Sequence, residues 1–133
     1  MRDPERDKGR IEDMIEASNN VINFVDGLSF NVFSNDKLRY YAVLKNVEII
    51  GEAAYMLTKD FRDRVNSIPW DAVIKMRHIL VHGYAPVLPE ILWDTAINDV
   101  PWLKRELDKL LEMTMQAMAA NEDLINSEMA AEG

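Results

Sequence analysis

Between residues 37 and 58 the apolar side chains recur at intervals of three and four: Tyr40, Val43, Leu44, Val47, Ile50, Ala54 and Leu57. That interval gathers them on one stripe of an α-helix, whereas a strand would scatter them over both faces. Lys45, Glu48, Glu52, Tyr55 and Lys59 form the opposite, more polar stripe. The same period appears at Ile11, Met14, Ile15, Ile22 and Val25, with Gly27 as a stop and Ser34 or Asp36 available to cap the next helix. A helix from about Trp70 follows Pro69 and is expected to end at Gly83 and Pro86. Pro89 opens the stretch "EILWDTAINDV", and Pro101 is expected to interrupt or kink the helix there, leaving a last helix over residues 101–121. No segment alternates as a strand would. The expectation is an all-α antiparallel bundle of four to five helices, one domain over residues 1–121, with an acidic, fraying tail over 122–133.

At 133 residues the chain suits a single domain, and 48% apolar with 29% charged residues is a globular composition. The absence of cysteine excludes thiol chemistry, disulfides and cysteine-held metals. The N-terminus lacks the apolar core of a signal peptide and no apolar run approaches a membrane span, so the expected location is cytoplasmic with no membrane contact. A net charge of −8 argues against a general nucleic-acid coat, and no DNA partner is expected. The distribution is uneven: residues 37–84 carry 8 positive and 5 negative groups, while residues 85–133 carry 3 positive and 10 negative.

The basic segment ends in "MRHILVHGYAPV", residues 76–87, which holds both histidines of the chain. On a helical wheel with Trp70 at zero, Val73, Ile74, Leu80 and Val81 fall within about 80° of it, and Arg77 lands at about 340°. Arg77 thus stands in the middle of an apolar stripe. A guanidinium there needs a carboxylate, a phosphate or a subunit boundary, and Glu48 or Glu52 of the preceding helix could supply the carboxylate. His78 and His82 sit at the flank, at about 80° and 120°. Their spacing of four would allow a shared metal, with Glu48 or Glu52 completing the ligands, although Arg77 would oppose a cation. The other chemistry is metal-free. An imidazole can take the proton of a ribose 2′-hydroxyl while an arginine holds the phosphate. The Arg-x4-His spacing alone is too common to decide between them.

The longer wording is more specific. "RHILVHGY" resembles the Arg-x4-His-x-Tyr motif of HepT-like proteins, a branch of the HEPN superfamily. The likeness extends through "RIEDMIEASNNVINFVDG", "VEIIGEAAYML", "SIPWDAVIKMRHILVHGY" and "ILWDTAINDVPWLKREL", roughly residues 10–111. The resemblance implies a helical bundle that forms a homodimer with the motifs facing a shared cleft. It implies a metal-independent, cofactor-free endoribonuclease, typically the toxin of a toxin–antitoxin pair whose partner is a minimal nucleotidyltransferase. It makes Arg77 and His82 the catalytic pair and Tyr84 the residue that the partner adenylylates. His78 fills a position that is polar in the superfamily, where the HepT branch leads one to expect asparagine, and Glu48 and Glu52 would brace Arg77 or the dimer contact. "APVLPE" departs from the aspartate-containing stretch that often follows the tyrosine. A second reading is a non-catalytic binding module that docks a nucleotidyltransferase or a nucleotide.

Overall fold

The computed structural model describes residues 6–77 and 88–132, the side chains of 114–122 and 132 aside. His78, His82 and Tyr84 therefore lie outside the described residues, as do Gly83 and Pro86. Seven α-helices are present among the described residues, with no strand. These are α1 (Asp7–Val25), α2 (Phe30–Ser34), α3 (Lys37–Tyr55), α4 (Lys59–Arg64), α5 (Trp70–Ile74), α6 (Pro89–Asp94) and α7 (Val100–Glu132). The all-α expectation holds, but short helices make the count higher than four to five.

Local chemistry places most boundaries. Gly27 takes φ 72°, a left-handed conformation that ends α1 without a Cβ penalty. Side-chain oxygens of Ser29, Asp36 and Thr58 accept hydrogen bonds from the backbone N–H of Val32, Arg39 and Phe61, and so cap α2, α3 and α4. Of the two caps the sequence offers for α3, Asp36 serves; Ser34 belongs to α2.

Helices α1 and α3 run antiparallel. Their contacts pair early with late positions: Asp7 with Thr58, Asn20 with Asn46 at 3.1 Å, and Arg39 Nη1 with the Phe24 carbonyl at 3.2 Å. Helix α7 closes the bundle against α1, its Leu110 and Leu111 beside Asp7 and Ile11. At the other end Trp93 of α6 packs on Phe33 of α2, ring centroids 5.2 Å apart. Met14, Val21, Phe33, Val43, Val47, Ile50, Leu92, Val100 and Leu107 are fully buried between these elements.

Two departures from the sequence reading have physical causes. Pro101 does not break the last helix. The chain from Pro89 to Glu132 stays helical through a π turn at Thr95–Asp99, where the Val100 N–H donates to the Thr95 carbonyl five residues back. Pro101 lacks an N–H and its ring would crowd the carbonyl four residues earlier, so a locally widened turn is a natural accommodation. The helix also runs past Asn121 to Glu132, a stretch with three Glu and two Ala and without Gly or Pro. Among the described residues no helix is long and apolar enough to cross a membrane.

One polar contact ties the start of α1 to the junction of α3 and α4. The Asp7 carboxylate, 5% exposed, accepts from the Thr58 backbone N–H at 2.9 Å and from its hydroxyl at 2.7 Å. Truncating one partner of a buried hydrogen bond to a carboxylate costs about 1–3 kcal/mol. Asp7→Ala is expected to lower unfolding stability by that amount in urea titration, and Asp7→Asn by less; an unchanged midpoint for both would show that the contact adds nothing.

Candidate active site

The segment that delivers Arg77 is fixed before it arrives. Trp70, 6% exposed, opens α5 and donates its indole N–H to the Val65 carbonyl at 2.7 Å, while its ring meets Phe61. Ile68 and Val73 are buried on either side, so α5 is anchored on α3. At Lys75 the chain tightens into a 3-10 turn, Lys75–Arg77. A 3-10 turn has about three residues per revolution, so Arg77 falls back onto the side of Ile74, facing the bundle. The wheel drawn for a regular helix places it on that side too, but the turn is tighter than expected.

Arg77 meets α3 through three neighbouring contacts. Its backbone lies directly on Gly51: a Cβ at that glycine would overlap the Arg77 backbone nitrogen and sit 3.0 Å from its Cα and Cβ. Its guanidinium carbon stands 3.6 Å from the centroid of the Tyr55 ring, one helical turn further along. Its Nη1 is 3.7 Å from Glu52 Oε2. Stacking on the ring face adds a cation–π attraction of about 0.5–2 kcal/mol, larger where water is excluded. The ion pair is longer than the roughly 2.7–2.9 Å typical of a charge-assisted hydrogen bond, so it balances charge without saturating the donors. The Arg77 side chain is 21% exposed, and its buried Nε has no hydrogen-bond partner among the described residues. A planar cation is therefore held in a fixed orientation, part buried, with donor capacity unspent.

The two candidate carboxylates separate. Glu52 pairs with Arg77, whereas Glu48 pairs with Lys45 at 3.3 Å on the same helix and makes no ion pair with Arg77. Glu52 is 59% exposed and also borders a groove of about 320 Å³ between α1 and α3, lined by Arg10, Asp13, Glu16 and Asn46 among others. Among the described residues no three carboxylate or histidine side chains converge as a metal site would require.

The HepT-like ribonuclease family matches residues 14–110, a span that contains α3, α5, the 3-10 turn and Arg77. The chain belongs to that family. Among its relatives is a protein of Methanocaldococcus jannaschii named "Putative RNase MJ1380", 37% identical over 101 residues that cover 76% of this chain and 93% of the relative. Another, from Thermococcus cleftensis and named "Probable ribonuclease HepT", is 37% identical over 103 residues, covering 77% and 94%. No solved structure gives a significant match.

Within this HepT-like chain, the seat of Arg77 is the part that sequence pattern does not reveal. Periodicity assigns Tyr55 to a polar stripe and gives Gly51 no role, yet Tyr55 is half-buried beneath the guanidinium. A signal exists. Gly51 lies inside an otherwise strong helix, where glycine costs about 1 kcal/mol relative to alanine, so its presence asks for a close approach by something else. Gly51→Ala should gain helix propensity yet lose net stability, by about 1–3 kcal/mol, because the neighbour that must yield is backbone. Chemical denaturation of the variant measures this, and a stabilised Gly51→Ala protein would show that the approach is not tight.

Proposed function

We propose that this HepT-like chain is a metal-independent endoribonuclease and the toxin of a toxin–antitoxin pair, with Arg77 as phosphate clamp and His82 as general base. The observation that carries the reading is the seat of Arg77: a stacked, oriented guanidinium with unspent donors, five residues before His82. Family membership and the relatives named as ribonucleases support an RNA substrate.

In this mechanism the neutral His82 imidazole takes the proton from a ribose 2′-hydroxyl as its oxygen attacks the adjacent phosphorus. The bond to the 5′-oxygen breaks, and that oxygen takes a proton from the imidazolium or from His78, leaving a 2′,3′-cyclic phosphate and a 5′-hydroxyl. Arg77 offsets the charge that grows on the non-bridging oxygens. Glu52, at 3.7 Å, limits how far the guanidinium can swing, while Glu48 has no part in this arrangement. A homodimer would bring two such motifs to one cleft. A minimal nucleotidyltransferase would silence the site by transferring AMP from ATP to the Tyr84 hydroxyl with release of pyrophosphate, placing bulk and negative charge two residues from His82.

The purified protein is expected to cut RNA in the presence of EDTA, and His82→Ala to lose at least about a hundredfold in rate while keeping its fold and oligomeric state. Full activity in His82→Ala would refute the assignment. Incubation with the nucleotidyltransferase and ATP should raise the intact mass in steps of one AMP, and Tyr84→Phe should abolish the first step; an unshifted wild-type mass beside an active partner would rule out Tyr84 as the modified residue. A non-catalytic docking module is the second reading, favoured by the net charge of −8 and the acidic lining of the α1–α3 groove. A tight complex without RNA cleavage by unmodified protein would select it.

A further inference from the structure

A second groove, of about 450 Å³, opens beside the turn that carries Arg77. Lys75 and Met76 of that turn form one wall, and Thr95, Asp99, Trp102 and Leu103 form the other. Its size lies within the range of pockets that hold small planar ligands. The π turn is what shapes the second wall. It carries Thr95 and Asp99, and the next turn of α7 sets Trp102 and Leu103 beside them. π turns of this kind are frequent at functional sites.

Three features of the groove point to one class of occupant. Trp102 is 39% exposed, a large indole left open to the groove rather than closed into the core. Asp99 is an exposed carboxylate on the rim of the groove, its carboxyl raised above the ordinary range, first by burial and then by the charge of Asp94. Among the described residues no cation lies within ion-pair distance of Asp99, although Lys75 borders the same space. An exposed indole, an uncompensated carboxylate and a nearby ammonium match a planar ring with adjacent N–H donors joined to an anion.

We propose that this groove is a nucleobase subsite for a guanine of single-stranded RNA. The proposal rests on the ribonuclease reading for its substrate class. Single-stranded bases are recognised by stacking on aromatic side chains and by hydrogen bonds to their Watson–Crick edges. An ionised carboxylate only accepts hydrogen bonds. Guanine alone among the four bases presents two donors side by side on that edge, N1–H and the 2-amino group, which fit the two oxygens of Asp99. Adenine and cytosine each set a ring-nitrogen acceptor beside their amino group, and uracil flanks its one N–H with two carbonyls, so each would turn a lone pair toward the carboxylate. Trp102 supplies the stacking face, Lys75 a cation for the backbone of the same nucleotide, and the turn connects this subsite to Arg77 within two residues.

The test uses the full chain and 2′-O-methyl pentanucleotides, UUGUU, UUAUU, UUCUU and UUUUU, with affinity read by fluorescence anisotropy. These lack the 2′-hydroxyl nucleophile, so the result does not depend on whether the chain cuts RNA. UUGUU should bind about tenfold more tightly than the other three, in line with one bidentate base contact. Asp99→Asn should erase that preference, and Trp102→Phe should weaken all four together while keeping it. Equal affinities, a preference for another base, or a guanine preference that survives in Asp99→Asn would each overturn the proposal. Failure of the ribonuclease reading would register separately, as uncut natural RNA.

Discussion

The contact between Gly51 and the backbone of Arg77 sets the geometry on which the candidate site depends. With no side chain between them, α3 and the 3-10 turn approach closely enough for the guanidinium to reach the Tyr55 ring and Glu52. A larger residue would push the turn outward and take both contacts away together. The arrangement also answers the energetic problem of a cation in an apolar stripe. Stacking replaces part of the lost hydration, a half-exposed carboxylate balances charge, and one edge stays near solvent. Because the ion pair is long and Nε has no partner among the described residues, the balance is incomplete there.

The rest of the bundle holds this contact in place. Antiparallel α1 and α3 form the core pair, latched at one end by Asp7 and Thr58, and α7 closes over α1. Trp70 anchors α5 so that the turn begins from a fixed point. Beyond Leu110 the family match ends and α7 continues with Met113, Leu124, Ile125 and Met129 exposed. Among the described residues the family-matched segment and the buried core end at nearly the same place, Leu107 being the last such side chain of that core.

Periodicity alone makes α1 and α3 legible, since a stripe such as Val43–Val47–Ile50–Ala54 has one physical interpretation. The anomaly at Arg77 is legible for the same reason: charge on an apolar stripe is visible without coordinates. What the wheel cannot show is which carboxylate answers it. Glu48 and Glu52 share a stripe, and only the position of the turn along α3 selects Glu52. Gly51 and Tyr55 escape a pattern-based reading because their roles exist only in a contact between segments more than twenty residues apart. Pro101 reads as a break because a π turn, which resolves the same steric conflict, leaves no composition signature of its own.

The central claim is that a rigidly presented guanidinium at position 77, and not merely a positive charge, acts on the phosphate at this site. Arg77→Lys keeps the charge but removes the planar fork and most of the stacking on Tyr55. Single-turnover cleavage of an unstructured RNA in EDTA, measured beside a thermal melt of the same preparation, tests this directly. The expected result is a loss of about a hundredfold or more in rate with the fold retained. Cleavage by Arg77→Lys at the wild-type rate would contradict it.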